Sequence, residues 1–264
     1  MMIIGFIGCG NMAQAMIGGI VESKVVPADE IIVSNPSEDK LLKVKDQWGV
    51  HITQNNMEVL QAKYIILAVK PHYYETVILE IQQQLKSSQV VVSIAPGKTL
   101  NQLQDLFAKE QKLIRSMPNT PAMVGCGMTA VCANEFITKG ELDEICEIFS
   151  GFGKTSEIKE NMMEAVISVS GSSPAYVYLF IESLADGAVR EGMPRDQAIE
   201  FAAQAVYGSA KMVLETGIHP AALKDAVCSP GGTTIEAVCA LERGNFRGSI
   251  EEAMRACANK AREM

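Results

Sequence analysis

Hydrophobic residues in the first 160 positions fall into short unbroken runs, separated by longer stretches where apolar residues recur every three to four positions. The runs at 3–8, 31–34, 64–69, 90–94 and 113–115 predict strands. The amphipathic stretches at 11–21, 38–48, 72–85 and 100–107 predict helices between them. Strands that are apolar without alternation are covered on both faces, so the pattern implies a parallel sheet between two helical layers. Residues 129–132 and 154–158 are candidates for outer strands, with a helix over 141–151 between them.

Beyond residue 160 the strand signal stops. Long helices are expected over 174–191, 194–216 and 249–264, and shorter ones over 220–227 and 233–242. Pro174, Pro194 and Pro220 each stand where a helix begins, and a first-turn proline forfeits no hydrogen bond there. Gly192 and Gly217 are placed as helix stops. This divides the chain into a sheet domain over 1–160 and a helical domain over 161–264. The helical half is apolar around much of its circumference, at 175–181 and again at Ala198, Ile199, Phe201, Ala202, Ala203, Ala205, Val206 and Tyr207. A helix that is apolar all round has to be buried on all sides. A second subunit is the expected cover, and packing on the chain's own sheet domain is the alternative.

Composition narrows the function classes. Hydrophobic residues at 48% and charged residues at 20% describe an ordinary globular protein with no disordered tract. A net charge of −8 argues against a nucleic-acid surface. No run approaches the roughly 18 apolar residues of a membrane span, and the apolar N-terminus lacks the basic residues of a signal peptide. The seven cysteines are scattered, odd in number and without a CxxC pair, which fits free thiols in a reducing cytoplasm. His51, His72 and His219 do not pair with cysteines at ligand spacing, so no metal site is expected.

The sharpest local signal follows the first strand. Gly8-Cys9-Gly10-Asn11-Met12-Ala13 is a GxGxxA turn leading straight into a helix. Gly8 permits the tight turn, Gly10 lets a pyrophosphate approach the backbone, and Ala13 lets the helix pack on the sheet. The helix N-terminus adds free N–H groups and a partial positive charge. Together with the strand–helix alternation this predicts a Rossmann-type doubly wound α/β sheet that binds a nicotinamide dinucleotide, followed by an all-α C-terminal domain. Cys9 reads as a small filler. The second strand ends at Ser34-Asn35-Pro36-Ser37, where NAD-specific sites carry an acid. Neutral groups there tolerate a 2′-phosphate, so NADPH is preferred and NADH remains possible; Lys40 is a further candidate contact.

Ligands of such sheets bind at the carboxyl ends of strands. Three loops fall there: 68–72 (AVKPH), 93–97 (SIAPG) and 115–122 (RSMPNTPA). Lys70 is open to three readings: a catalytic acid, a cofactor contact or a surface lysine. The stretch 117–127 holds Pro118, Pro121, Gly125 and Gly127, too stiff and irregular for strand or helix, and suits a site wall. In the helical half, Ser229-Pro230-Gly231-Gly232-Thr233-Thr234 enters a helix. Ser229 is a plausible N-cap, and the glycines expose consecutive N–H groups suited to a carboxylate; an ordinary capped helix start reads equally well.

Taken together these residues resemble the pyrroline-5-carboxylate reductases, the enzymes that make proline. The likeness rests on 8–13, 68–71, RSMPNTPAMVGCGMTA at 115–130, SGSSPAY at 170–176 and PAALKDAVCSPGGTTIEAVCALE at 220–242, and so spans nearly the whole chain. Pro96, Ser173 and His72 stand where the family more often has a small residue, a glycine and a glutamine. The resemblance implies NAD(P)H-dependent reduction of the cyclic imine (S)-1-pyrroline-5-carboxylate to L-proline. It also implies a C-terminal dimerisation domain that interlocks with a second subunit, in dimers or in decamers built from dimers. It places the dinucleotide against Ile7, Gly8, Gly10, Asn11 and Met12, against Ser34, Asn35 and Asn55, and against Ala68, Val69, Lys70, Pro71 and Ala95. It places the imine against Ser173, Gly231, Gly232, Thr233 and Thr234, with the Thr234 hydroxyl as the hydrogen-bonding and proton-relaying group. Two rivals are a β-hydroxyacid dehydrogenase, for which Lys211 is the one candidate base, and a non-catalytic NADPH-binding protein, which would lack the 229–234 motif.

Overall fold

Eight strands form one sheet in the order β3-β2-β1-β4-β5-β6-β7-β8. The computed structural model describes residues 2–107 and 110–263. The chain runs β1 (Ile4–Ile7), α1 (Asn11–Glu22), β2 (Ile31–Ser34), α2 (Glu38–Trp48), β3 (His51–Thr53), α3 (Asn56–Val59), β4 (Tyr64–Leu67) and α4 (Tyr74–Ile81). It continues through β5 (Val90–Ser93), α5 (Leu100–Asp105), β6 (Lys112–Met117), β7 (Gly127–Ala133), α6 (Lys139–Ser150), β8 (Gly153–Glu157) and α7 (Met163–Val166). Strands β3 to β6 are parallel, with Ile4 paired to Ile31 on one side and Tyr64 on the other.

Because side chains alternate across a strand, each central strand feeds both faces. Ile4, Phe6, Tyr64 and Ile66 join Met16, Val44, Ile145 and Phe149 in one layer. Ile7, Ile65 and Leu67 join Val59, Tyr74, Ile78 and Leu103 in the other. Burial on both faces is what made β1, β2, β4 and β5 legible as unbroken apolar runs.

The structure departs from the expected elements in several places. β3 is an edge strand of three partly exposed residues, too short and too polar to register as a run. β7 pairs antiparallel with β6, so the sheet is not parallel throughout. β6 runs past the expected strand end at Arg115 through Ser116 and Met117, and the loop begins only at Pro118. The helix expected over 72–85 is a 3-10 turn, Pro71–Tyr73, followed by the shorter α4. The expected helix at 141 starts earlier, because Thr138 and Glu141 close a capping box around Lys139. The stretch after β6 is not wholly irregular: Thr120–Val124 forms a 3-10 turn.

The packing divides the chain into two units. One runs to Ser172 and takes the chain back from Cys257; the other is Ser173–Ala256. Residues 161–172, expected with the helical domain, therefore pack with the sheet. An ion pair explains it. Arg115 is 2% exposed, its Nη1 donates to Glu160 Oε1 at 3.0 Å, and Glu164 lies 3.7 Å from Nη2. The same Glu160 oxygen accepts the Leu100 N–H at 2.7 Å. Met163 and Ile167 are buried in the second layer, and a π-helical turn follows at Ile167–Gly171. The returning chain is fastened by Cys257 Sγ, 3.2 Å from Ser172 Oγ.

The second unit holds α8 (Ser173–Arg190), α9 (Arg195–Thr216), α10 (Pro220–Ala226), α11 (Thr233–Arg243) and most of α12 (Phe246–Arg262). Residue 264, the end of the last expected helix, lies outside the described residues. Gly192 and Gly217 end α8 and α9 at φ 96° and 64°. Pro194 is the N-cap of α9 and not its first helical residue. Among the described residues, the buried apolar cluster of this unit is Ala185, Ala198 and Ala202.

The β7–β8 pairing depends on Gly153, which has φ +150° and faces Gly127 across the ladder. A Cβ at Gly153 would sit on the Gly127 carbonyl oxygen. Gly153→Ala should therefore cost about 2–4 kcal/mol from overpacking and backbone strain. Thermal denaturation would show this as a lowered Tm, and an unchanged Tm would refute the close packing of these strands.

Candidate functional site

The strand order reverses between β1 and β4, and in open sheets of this kind the reversal opens a crevice at the carboxyl ends of the strands. A groove of about 580 Å³ lies there. The turn after β1 contributes Gly8, Cys9 and Gly10; the segment after β2 contributes Ser34, Asn35, Pro36 and Lys40; Gln54 and Asn56 follow β3. Ala68, Val69 and Lys70 follow β4, and His72, Tyr73, Thr76, Val77 and Glu80 come from the turn and helix beyond.

Gly8 is the point of closest approach. Its φ is +105°, and a Cβ there would meet the Ala68 carbonyl oxygen at 2.6 Å. Its N–H donates to the Ser34 carbonyl at 2.8 Å, so the turn prolongs the β1–β2 ladder by one bond. The Cys9 N–H then donates to Asn35 Oδ1 at 3.2 Å, and the Asn35 amide donates to the Ser37 carbonyl at 3.3 Å. Gly10 is the N-cap of α1 and supplies no side-chain acceptor to the helix start. In the other unit, Gly232 caps α11 in the same way. By contrast α5 and α6 begin on full capping boxes at Thr99 and Thr138. A glycine-led start leaves the first N–H groups for an anion.

Of the expected dinucleotide contacts, Ile7, Gly8, Gly10, Ser34, Asn35, Ala68, Val69 and Lys70 line this groove. Asn11 and Met12 open α1, and Pro71 opens the 3-10 turn; none of the three lines it. Asn55 is turned to a different task, its Oδ1 accepting the Met57 N–H at 3.0 Å to cap α3. The neighbouring Asn56 faces the groove instead. Asn56 Oδ1 accepts from the buried Ser34 hydroxyl at 2.7 Å, and Asn56 Nδ2 donates to Glu80 Oε2 at 2.8 Å. Ala95 is buried, and its N–H donates to Ser93 Oγ at 3.3 Å. The signal for Asn56 was present as two adjacent asparagines, one of which suits a helix cap; Gln54 and Glu80 gave none. Burial raises the Cys9 thiol pKa, which leaves it a neutral filler.

Of the expected imine contacts, Ser173 is the first residue of α8, and Thr233 and Thr234 are the first two of α11. Ser229 is not the N-cap of α11. Gly232 takes the extended cap conformation, and the Ser229 carbonyl accepts its N–H at 3.0 Å after a turn through Gly231 at φ +67°.

Comparison with known proteins agrees with this architecture. Residues 160–264 match the family model for pyrroline-5-carboxylate reductase dimerisation, and residues 3–97 match that for NADP oxidoreductase, coenzyme F420-dependent. The pyrroline-5-carboxylate reductase of Escherichia coli K12 is 52% identical over 262 residues, covering 99% of this chain and 97% of its own. The chain belongs to the pyrroline-5-carboxylate reductase family. Two solved members superpose closely. That of Coxiella burnetii has a TM-score of 0.91 at 36% identity, with 98% of this chain and 97% of that one covered. That of Plasmodium falciparum, solved with NADP bound, has a TM-score of 0.90 at 31% identity, with 99% and 97% covered. The family model beginning at 160 and the packing boundary at Ser172 bracket the passage from sheet to helical unit.

The protein uses NAD(P), and its groove fits that cofactor: Gly8 leaves no room for a side chain, while around Gly10 no atom lies within 4 Å of where a Cβ would stand. Gly10 also has an ordinary φ of −80°. Gly10→Ala should therefore fold with an unchanged Tm yet bind dinucleotide at least ~10-fold more weakly, because the methyl occupies space the pyrophosphate needs. Fluorescence titration with NADPH measures this. Wild-type affinity in that variant would remove the glycine turn from the binding site.

Proposed function

We propose that this protein reduces (S)-1-pyrroline-5-carboxylate to L-proline with NADPH as the preferred reductant. The observation that carries the reading is the pair of glycine-led helix starts, α1 in the sheet unit and α11 in the helical unit, on a chain that belongs to this family throughout its length. The first N–H groups of α1 hold the diphosphate, and Ala68, Val69 and Lys70 support the nicotinamide half. When bound, the dinucleotide supplies a hydride to the imine carbon, leaving NAD(P)+ and a saturated ring.

The chain's own part is to bind and orient. The N–H groups at Gly232, Thr233 and Thr234 grip the substrate carboxylate, and Ser173 lines the same pocket. The Thr234 hydroxyl hydrogen-bonds the ring nitrogen and relays its proton. An imine nitrogen is basic enough to be largely protonated before reduction, so a hydroxyl is sufficient and no strong protein acid is required. Much of the rate then comes from positioning.

Preference for NADPH is supported at the end of β2, where no carboxylate stands among Ser34, Asn35, Pro36 and Ser37, and where Lys40 faces the groove. The acid that does line the groove, Glu80, is engaged by the Asn56 amide. NADPH oxidation with pyrroline-5-carboxylate, run beside NADH, tests the reading directly. Oxidation is expected with both and faster with NADPH at low concentration; no oxidation with either would end it. Thr234→Ala should lower kcat by about 10–100-fold, the range of general acid–base contributions. Wild-type turnover would release Thr234 from the role.

Assembly into a homo-oligomer through the C-terminal helices is supported by exposure. Tyr178, Leu179, Phe201 and Leu214 are each at least 60% exposed, and a hollow of about 750 Å³ is lined by Ala175, Tyr178, Leu179, Ile181 and Ile199. Apolar surface on this scale marks obligate interfaces. Light scattering should give a mass of at least two chains for the wild type, and Phe201→Glu should shift it toward the monomer with loss of activity. A monodisperse wild-type monomer would overturn the assembly.

A further inference from the structure

We propose that the Tyr74 hydroxyl is a positioning group for the dinucleotide, tying the carboxyl ends of β4 and β5 together and so fixing the backbone that Gly8 packs against. Tyr74 is fully buried, yet it carries a polar atom that no step of the reduction uses. Its hydroxyl donates to the carbonyl of Leu67, the last residue of β4, at 2.7 Å. It accepts from the hydroxyl of Ser93, the last residue of β5, at 3.1 Å. Ser93 Oγ in turn accepts the Ala95 N–H at 3.3 Å, and the Ser93 carbonyl accepts from Ser116 Oγ of β6 at 3.1 Å.

These bonds form a directed chain, from the Ala95 N–H through two hydroxyls to the Leu67 carbonyl. Each hydroxyl passes one bond on to the next, the Ile94 and Ala95 backbone also bonds the phenol oxygen, and such networks strengthen cooperatively in a dry interior. Leu67 and Ser93 are register partners, so the chain closes the β4–β5 ladder where strand pairing ends. Burial pushes the Tyr74 phenol up to about 12, so its proton stays in place as a donor at any assay pH near neutrality. The peptide it anchors leads directly into Ala68, whose carbonyl is the atom that leaves Gly8 no room for a side chain. Two motifs far apart in sequence, the glycine turn and the Ala68–Lys70 loop, thus share one held backbone. Binding weakens when a site must be ordered by its ligand, so loosening this anchor should appear in dinucleotide affinity first.

The inference rests on the dinucleotide groove assigned above. It does not require that the imine be the substrate. The test uses the full chain and two variants, Tyr74→Phe and Ser93→Ala, with NADPH affinity measured by fluorescence titration and steady-state constants measured with pyrroline-5-carboxylate. Tyr74→Phe keeps the ring and removes the hydroxyl; it should raise the NADPH Kd and KM about 5–10-fold, as expected from one lost buried hydrogen bond. The imine KM and kcat at saturating NADPH should stay within about twofold, a split that a general loss of folded protein would not produce. Ser93→Ala keeps the Leu67 bond and removes the side-chain link to β5; it should raise the NADPH Kd about threefold. An NADPH Kd unchanged in both variants overturns the proposal, as does a parallel rise in the imine KM. Should Tyr74→Phe not fold, Ser93→Ala alone decides. A wild type that binds NADPH but leaves the imine untouched would defeat the proposed reaction while these Kd values still judge Tyr74.

Discussion

The turn after β1 exists in its present form because Gly8 has no side chain. At φ +105° and pressed against the Ala68 carbonyl, it admits neither a Cβ nor a wider loop. This close approach sits where the β1 and β4 ends meet at the reversal of strand order, and it places the Gly10 cap of α1 at the groove. It also explains why the surrounding polar network is so short-ranged. Ser34 bonds Asn56, Asn35 bonds Cys9, and Tyr74 bonds Leu67, each pinning backbone that must not drift relative to Gly8. A site that positions rather than ionises needs that rigidity, because small displacements of a bound reactant reduce rate steeply.

Most of the sheet was readable from sequence because burial on both faces removes the polar positions that blur a strand's signal. What escaped was governed by interactions that a run of residues does not display. β3 is partly exposed, pairs with Ile32–Ser34 on one side, and packs on the core through Ile52. β7 pairs antiparallel to β6, a choice made by the turn through Thr120–Val124 and not by composition. The packing boundary lies beyond residue 160 because Arg115, at the end of an expected strand, is buried and its charge is met by Glu160 and Glu164. Pairing across 45 positions leaves no local trace. In the groove, the glycine turn and the Ala68–Lys70 loop were legible from their motifs, whereas sequence alone does not show which of the adjacent Asn55 and Asn56 caps α3 and which lines the groove.

The helical unit poses the opposite problem. Its helices were legible, but their partner was not contained in the chain. Small alanines fill its buried cluster, while Tyr178, Leu179 and Phe201 remain in water. A unit with so little interior of its own cannot offset the entropy of ordering its helices. Covering its apolar faces with a second copy supplies the missing burial, so folding of this half and assembly of the enzyme become one equilibrium.

Charge sets the final constraint. The chain carries a net charge of −8, yet both proposed ligands are anions. Net charge therefore does not draw them in, and recognition rests on groups at contact distance. The proposed grip by N–H groups at glycine-led helix starts would do this without a buried cation that itself needs a partner. Among the described residues the one buried guanidinium, Arg115, pairs with internal carboxylates and does not line the groove, and the lysines that line it, Lys40 and Lys70, are exposed. An uncharged grip also suits the chemistry. In the proposed reaction the substrate nitrogen already carries its proton, so a cation beside it would oppose binding and a neutral hydroxyl, the role proposed for Thr234, would not.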